Sequence, residues 1–256
     1  MEIDKHKKQF GVQAEDYTKY RKPYPEKLYE FLFSLLATNQ KKILDIACGT
    51  GKSTEPLLRN DTEVSACDHD PLMIEEAKRQ AVAKNLTIDY RIAETEQLPY
   101  EDDSFNVVTI GTALHWFVNE KAIAEIRRVL KNDGLIFVFW TSTIEDAREE
   151  NKIILDVFRS YHWERVSPEF RDLEYISNFF QQNGFRNIST ARIPFSHNDT
   201  VEERVGLEKT NSGYGLLSPE DKKRFLDDLR GALTTALGAK SHFSIQEEVQ
   251  VCYGFR

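Results

Sequence analysis

The amino-acid sequence predicts an α/β fold in which a parallel sheet carries helices on both faces. Short apolar segments alternate with helical segments between residues 41 and 140. The first apolar segment, KKILDI, runs directly into a turn of small residues, ACGTG. Such alternation is typical of parallel strands joined by right-handed crossovers, because each helix must return the chain to the same edge of the sheet.

The elements up to residue 140 follow the hydrophobic pattern in chain order. An amphipathic helix at 26–36 precedes the first strand at 43–46, and a second helix is expected to begin near Ser53 and to continue through Leu57 and Leu58. The remaining predicted elements are strands at 63–68, 86–92, 104–111 and 135–140, helices at 71–83 and 120–130, and a turn at 131–134.

Beyond residue 140 the alternation stops. Helices are predicted at 145–160, 172–183 and 200–238, the last broken around 211–219, and strands at 184–195 and 244–253. We expect these two strands to form an antiparallel pair that closes the sheet. The chain is interpreted as a single domain, 1–256, with an N-terminal lid at 1–38, a core at 40–140, a helical cap at 141–183 and 198–240, and closing strands at 184–197 and 243–256.

Composition and charge argue against several classes of protein. A formal net charge of −8 argues against a nucleic-acid partner, because phosphate contacts need a basic surface. No apolar run is long enough to cross a bilayer, so no membrane partner is expected. Cys48, Cys67 and Cys252 form no C-x-x-C pair, which indicates reduced thiols in a cytoplasmic protein. The histidines have no metal-ligand spacing, so no metal is expected, and the oligomeric state is left open.

The turn after the first strand has the form of a ligand-binding loop, since glycines let a ligand approach the backbone closely. A dinucleotide loop, G-x-G-x-x-G, would need a third glycine where Thr54 stands. A phosphate-binding loop ending in Gly51-Lys52-Ser53 would need a glycine at Ile46, inside the strand. S-adenosylmethionine carries no phosphate and needs only a slim loop for its amino-acid tail. An ordinary strand–turn–helix corner is the remaining alternative.

The segment DIACGTG at 45–51 resembles the first motif of the class I S-adenosylmethionine-dependent methyltransferases, [DE]-x-G-x-G-x-G, with Ala47 in place of the first glycine. The resemblance implies a Rossmann-like, seven-stranded methyltransferase sheet with helices on both faces and a helical cap. It also implies S-adenosyl-L-methionine as the cofactor. The loop residues expected to bind this cofactor are Asp45, Ala47, Gly49, Thr50 and Gly51.

Four further segments resemble a small-molecule group of these enzymes, the relatives of trans-aconitate methyltransferase. FGVQAEDYTKYRKPYP at 10–25 is similar to their F-x-x-x-A-x-x-Y-x-x-x-R-P-x-Y-P opening, with Lys22 inserted. AETEQLPY at 93–100 resembles G-D-A-E-x-L-P-F, TALHWF at 112–117 contains A-L-H-W-F, and RVLKNDG at 128–134 resembles R-V-L-K-P-G-G. The resemblance implies a small-molecule substrate, with a carboxylate such as trans-aconitate as the nearest case.

Other candidate cofactor contacts follow the second strand. Asp68 ends this strand about twenty residues beyond the loop, where an acid is placed to accept hydrogen bonds from ribose hydroxyls. Asp70, before Pro71, is assigned a helix-capping role instead. Met73 is expected either to pack against adenine or simply to fill the core. The resemblance places Glu94 at the adenine amino group. Further candidate contacts are His69, Thr95, Thr112 and Arg21.

The expected reaction is a direct displacement at a sulfonium methyl carbon, in which the protein orients the reactants and excludes water. His115 is placed at a predicted strand end, and it acts either as a general base or as a residue that orients its loop. Trp116, Tyr17 and Trp140 are candidates to flank the positive sulfonium, or else belong to the core. Arg21 offers a planar fork for a carboxylate on the cofactor or the substrate.

Three functional interpretations remain open at this stage. A carboxylate acceptor is already ionised and needs no base, whereas a hydroxyl or amine acceptor would use His115. A protein that binds the cofactor without catalysis is compatible with the same motifs. A phosphate-binding NTPase is disfavoured by Ile46.

Overall fold

The computed structural model describes residues 14–36, 41–59, 61–144, 149–161 and 172–256. The first part of the predicted lid, including Phe10, and the start of the helix predicted at 145–160 lie outside the described residues. The chain forms two compact units. Unit 1 consists of Met1–Lys22, Ser142–Val166 and Pro194–Glu248, and unit 2 consists of Pro23–Thr141, Ser167–Ile193 and Val249–Arg256.

The described elements alternate up to the fifth strand and are followed mainly by helices and two long strands. In chain order they are α1 (Ala14–Tyr20), α2 (Glu26–Ser34), β1 (Lys41–Ile46), a 3-10 helix (Glu55–Leu57), β2 (Thr62–Asp68), α3 (Pro71–Ala83), β3 (Asp89–Ile92), β4 (Phe105–Gly111), a second 3-10 helix (Leu114–Trp116), α4 (Glu120–Val129), β5 (Leu130–Thr143), α5 (Glu149–Ser160), α6 (Leu173–Gln182), β6 (Arg186–Asp199), α7 (Val201–Lys209), α8 (Ser212–Leu216), α9 (Pro219–Leu237) and β7 (Phe243–Phe255).

The strands form one seven-stranded sheet in the order β3-β2-β1-β4-β5-β7-β6. β1 pairs in parallel with β2 and β4, β2 with β3, and β4 with β5. β7 runs antiparallel to β5, because the Arg256 amide donates to the Gly134 carbonyl while the Ile144 amide donates to the Gln246 carbonyl. The predicted seven-stranded α/β fold is confirmed, and β6 and β7 are neighbours at the sheet edge as expected.

The helix expected near Ser53 is wrong. The segment forms turns and the short 3-10 helix Glu55–Leu57, and Leu58 is extended. The hydroxyls of Ser53 and Thr54 bind the buried carboxylate of Asp45, which holds this segment as a tight turn. Tertiary hydrogen bonds therefore override the local helical pattern.

The turn expected at 131–134 is also different, because these residues lie within β5. The pairing with β4 shifts there: Leu130 lies opposite Phe105, and Leu135 lies opposite Val107. Asp133 has a φ of +59°, which bends the strand locally. The polar segment is therefore accommodated as a strand irregularity.

The core of unit 2 surrounds the central strands, whose two faces are both covered. Ile43, Leu44 and Ile46 of β1 are buried, as are Val107 and Val108 of β4. Strands covered on both faces read as continuous apolar runs, which explains the pattern seen in the sequence. The strand order reverses between β1 and β4, and ligands of open α/β sheets bind outside the carboxyl ends of the strands at this point.

Unit 1 has its own apolar core. Along α9 the side chains that recur every four residues are buried, and they pack with residues from α5, α7 and β7. The buried members are Ile154, Val205, Phe225, Leu229, Leu233, Leu237, Phe243 and Ile245. Within the described part of the chain, no helix is both long and apolar enough to cross a membrane.

Arg128 of α4 holds the loop that follows β3. Its guanidinium donates to the carbonyls of Leu98 (3.0 Å) and Tyr100 (2.7 Å) and forms ion pairs with Glu125 (2.7 Å) and Asp102 (2.8 Å). The Glu125 carboxylate also accepts the Leu98 amide at 2.8 Å. The hydrogen bonds from Arg128 are the main reason why the pKa of Glu125 lies below its usual range.

We predict that Arg128→Lys lowers the free energy of unfolding by about 1–2 kcal/mol, because an ammonium group cannot reproduce this planar set of contacts. Urea denaturation measures the change. Arg159→Lys is the matched control, since Arg159 is 71% exposed and has Asp156 as its ion-pair partner. The control should stay within about 0.5 kcal/mol of wild type. Equal midpoint shifts for the two variants would contradict the role given to Arg128.

Candidate functional site

The loop that follows β1 is organised by the carboxylate of Asp45. Asp45 is fully buried, and it accepts hydrogen bonds from the hydroxyls of Ser53 (2.8 Å), Thr54 (2.6 Å) and Thr109 (2.7 Å). Burial raises the pKa of Asp45, and these hydroxyl donors oppose the rise. Asp45 was predicted among the cofactor contacts, and it lies beneath the loop, where it ties the loop to β4.

The loop itself contains three residues with a left-handed backbone: Ala47 (φ +56°), Gly49 (φ +54°) and Gly51 (φ +84°). A Cβ atom at Gly51 would lie 2.5 Å from the Tyr90 hydroxyl oxygen, so the packing there requires glycine. A Cβ atom at Gly49 would meet no atom of the described chain within 4 Å. Gly49 therefore faces open space, whereas its neighbour Thr50 is buried.

Asp68, at the end of β2, closes the loop from the neighbouring strand. Its Oδ2 accepts the Gly49 amide at 2.9 Å, its Oδ1 accepts the Asp70 amide at 2.9 Å, and His69 Nδ1 lies 3.2 Å from Oδ1. A carboxylate can accept about four hydrogen bonds, so capacity remains for a ligand hydroxyl. Asp70 accepts the Leu72 amide and caps α3, which confirms its predicted capping role.

The segment after β4 forms another side of the candidate site. The Thr112 amide donates to the Phe139 carbonyl at 2.7 Å, and the Thr112 and Tyr24 hydroxyls form a 2.7 Å hydrogen bond. The Tyr24 ring packs edge-on against Phe139, with ring centroids 4.8 Å apart. His115 and Trp116 follow in the second 3-10 helix, with ring centroids 4.6 Å apart. Tyr24 therefore anchors the segment that carries the predicted catalytic pair.

The other predicted contacts in unit 2 differ in exposure. Met73 on α3 and Thr95 after β3 are buried, whereas Glu94 is exposed. Trp140 is 4% exposed and belongs to the apolar core of unit 2. The Asn119 side chain donates to Glu96 at 2.7 Å, which links the segment after β3 to the start of α4.

Tyr17 and Arg21 belong to unit 1. Arg21 Nε donates to the Thr210 hydroxyl at 2.9 Å, and Arg21 Nη2 donates to the Asn211 side chain at 2.7 Å. The guanidinium carbon lies 5.4 Å from the centroid of the Tyr17 ring. Their predicted roles as lid residues remain predictions.

Several residues that shape the site were not predicted from the sequence. They are Tyr24, Tyr29, Ser53, Thr54 and Thr109. Tyr29 is buried in α2 and donates to the Ser53 carbonyl at 3.3 Å. The hydroxyls of Ser53 and Thr54 were visible in the sequence, but Thr109 lies 64 positions from Asp45, and its contact depends on strand pairing. The position of Tyr24 between Pro23 and Pro25 was the feature of the sequence that could have drawn attention to it.

The chemistry of these residues fits S-adenosylmethionine, the cofactor predicted from the sequence. The open face of Gly49 allows close approach to the backbone, and the adjacent Asp68 carboxylate accepts hydroxyl groups but repels phosphate. A ligand with a ribose and no phosphate meets both conditions. Across the described residues, no group of three or more histidine, cysteine, aspartate or glutamate side chains is arranged to hold a metal ion.

Comparisons with known proteins agree with this interpretation. A family model described as a methyltransferase domain matches residues 44–138. An uncharacterized methyltransferase of Schizosaccharomyces pombe is 32% identical over 230 residues, which cover 88% of this chain and 87% of the relative. An uncharacterized methyltransferase-like protein of the same yeast is 27% identical over 248 residues, which cover 96% of this chain and 92% of that protein.

Solved structures share the fold. A candidate type II methyltransferase from Anaeromyxobacter dehalogenans has a TM-score of 0.66 at 20% identity, with 92% of this chain and 98% of that chain covered. Phosphoethanolamine N-methyltransferase 2 of Haemonchus contortus, in complex with phosphomonomethylethanolamine and S-adenosylhomocysteine, has a TM-score of 0.58 at 15% identity, with 96% and 57% covered. The loop geometry, the family model and the yeast relatives agree, and the chain belongs to the class I S-adenosylmethionine-dependent methyltransferases, with S-adenosylmethionine as its cofactor.

Proposed function

We propose that the protein methylates a small molecule and that unit 2 holds S-adenosylmethionine at the carboxyl ends of β1, β2 and β4. The observation that carries the proposal is the open face of Gly49 beside the Asp68 carboxylate, where the strand order reverses. In this proposal the loop of residues 47–51 holds the amino-acid tail of the cofactor. Asp68 holds the ribose, and the segment containing Thr112 faces the reacting end.

The cofactor supplies a methyl group on a positively charged sulfur. The residues of the chain orient this group and keep water away from it. Thr112 is hydrogen-bonded to the Tyr24 hydroxyl and the Phe139 carbonyl. These two bonds fix the position of the chain just before the second 3-10 helix. His115 and Trp116 are half-buried there, with their rings in contact, and we place them next to the methyl acceptor.

The methyl acceptor is proposed to be a carboxylate, with a hydroxyl or amine as the alternative. A carboxylate oxygen attacks without losing a proton, so His115 would act by positioning, whereas a hydroxyl or amine would need it as a base. Arg21 binds Thr210 and Asn211 in unit 1. The carboxylate proposal, with trans-aconitate as its nearest case, therefore rests on the resemblance of residues 10–25 and not on the contacts of Arg21.

We predict that Gly49→Ala lowers the affinity for S-adenosylmethionine by about tenfold or more, because a Cβ atom would occupy the space that the cofactor needs. The left-handed backbone should cost about 1 kcal/mol of stability, which leaves the protein folded. Titration calorimetry measures the affinity. Gly231→Ala in α9, where a Cβ atom also meets no neighbour, is the matched control and should bind as wild type does. Unchanged binding by Gly49→Ala would place the cofactor elsewhere.

We predict that Asp68→Asn lowers the affinity for the cofactor by about tenfold to a hundredfold, since hydrogen bonds from ribose hydroxyls to a carboxylate lose their charge assistance. Asp70→Asn is the matched control, because asparagine caps a helix as well as aspartate does. Calorimetry against S-adenosylmethionine compares the two variants. Equal losses of affinity would mean that Asp68 supports the loop without contacting the ribose.

We predict that His115→Ala lowers the rate only modestly and leaves it flat with pH near neutrality, as expected for a carboxylate acceptor. The measurement is a pH–rate profile of methyl transfer to trans-aconitate, or to the member of a metabolite panel that is turned over. His242→Ala, at an exposed position, is the control. A hundredfold fall, together with loss of a rise through the histidine range, would instead establish base catalysis and a hydroxyl or amine acceptor.

A further inference from the structure

Unit 1 contains a buried cluster of charged side chains around α7, which the methyl-transfer site does not use. Asp199 is 1% exposed, Arg204 is 5% exposed and Glu208 is 1% exposed. His197 and Glu247 lie beside them on β6 and β7. We call Asp199, Arg204, Glu208, His197 and Glu247 the α7 cluster. Buried charges are costly unless they are paired and hydrogen-bonded, so this cluster needs an explanation.

The contacts inside the α7 cluster are incomplete. Arg204 Nη2 lies 2.8 Å from Glu208 Oε1, and His197 lies 3.3 Å from Asp199 and 3.7 Å from Glu247. Burial raises the pKa of Glu247 above its usual range.

Seven buried polar atoms of the cluster make no hydrogen bond within the described part of the chain, and four of them lie in the ion pairs given above. The remaining three lie in none of those ion pairs. Arg204 Nε, Arg204 Nη1 and Asp199 Oδ2 make no hydrogen bond with any residue that the structure describes. Each such atom destabilises the fold when it stays unsatisfied. Native proteins keep very few of them, so an additional group is expected at this place. This group must offer an acceptor to Arg204 and a donor to Asp199.

The N-terminal segment 14–22 packs on α7 and contacts residues next to both of its ends. At one end Arg21 binds Thr210 and Asn211, and at the other Lys22 Nζ lies 2.7 Å from Asp199 Oδ1. Between them, the Tyr20 ring packs so closely on Gly206 that a Cβ atom there would lie 2.3 Å from the ring. The Lys22 side chain is 32% exposed, whereas its partner Asp199 is buried, so Lys22 is the solvent-facing member of this ion pair.

The charges around Arg204 and Asp199, which carry the three unsatisfied atoms, are mixed. Arg204 and Lys22 are cations, and Asp199 and Glu208 are anions. A metal cation would be repelled by Arg204, and a group with only negative charge would be repelled by Asp199. A molecule that carries both a carboxylate and a hydroxyl or ammonium donor satisfies both sides.

We infer that the α7 cluster is a binding site for a small carboxylic acid that also carries a hydroxyl or ammonium group. Its carboxylate accepts hydrogen bonds from Arg204, and its donor group binds Asp199 Oδ2. Segment 14–22 lifts at Lys22 to admit the molecule. The inference rests on contacts within unit 1 and holds whichever molecule accepts the methyl group.

Three four-carbon diacids that differ only at C2 test the inference: succinate, L-malate and L-aspartate. Calorimetry is carried out on the full chain without cofactor. We expect L-malate or L-aspartate to bind at least about tenfold more tightly than succinate, because succinate offers no donor to Asp199 Oδ2. Equal affinities, or no binding of any of the three at about 10 mM, would overturn the inference and leave water as the occupant. Binding of S-adenosylmethionine, measured on the same sample, tests the cofactor site separately.

Two variants identify the residues. Arg204→Gln should weaken binding of all three diacids, including succinate, about tenfold or more. Asp199→Asn should reduce the preference for L-malate or L-aspartate over succinate, and succinate should bind at least as tightly as it does to wild type because the repulsion by Asp199 is lost. Arg224→Gln, at a 62% exposed position of α9, is the control and should change neither. If Arg204→Gln does not fold, the preference of the wild type and its loss in Asp199→Asn decide the matter. A preference that persists in Asp199→Asn would overturn the inference.

Discussion

The fully buried Asp45 carboxylate is the interaction on which the cofactor loop depends. Its hydrogen bonds from the hydroxyls of Ser53 and Thr54 hold the chain that follows the loop. Its hydrogen bond from the Thr109 hydroxyl joins this part of the chain to β4. A carboxylate in the core is costly unless its oxygens are satisfied, and here hydroxyls from three positions satisfy them. The loop is thereby fixed at the carboxyl ends of β1 and β4, and the space beside the Gly49 Cα atom stays open.

A second carboxylate completes the arrangement from the next strand. Asp68 accepts the Gly49 amide, so the residue proposed to bind the ribose also sets the conformation of the loop proposed to bind the amino-acid tail. The two functions are coupled through one side chain. Because β1 lies between β2 and β4, parallel pairing brings Asp68 and Thr112 to the same edge of the sheet as the loop.

The two units differ in how their buried charged groups are satisfied. In unit 2 the buried carboxylate of Asp45 is satisfied by hydroxyls, and the open space lies beside a glycine. In unit 1 the buried guanidinium of Arg204 has two nitrogens that no described residue satisfies. A satisfied buried group stabilises a conformation, whereas an unsatisfied one indicates a missing partner. The first arrangement fits a scaffold for the cofactor, and the second fits the separate binding site inferred for unit 1.

The sequence by itself determined the sheet, the glycine loop, the acid at the end of β2 and the cap at Asp70, because each depends on local pattern, spacing or capping chemistry. The helix predicted after Ser53 was wrong, because hydrogen bonds to Asp45 outweigh a local helical pattern. Only the tertiary structure decided that Asp45 lies beneath the loop, that Tyr24 holds Thr112 and that Arg204 is buried beside Asp199. These contacts join residues that are distant in the chain, and strand pairing and helix packing, which no local pattern encodes, bring them together.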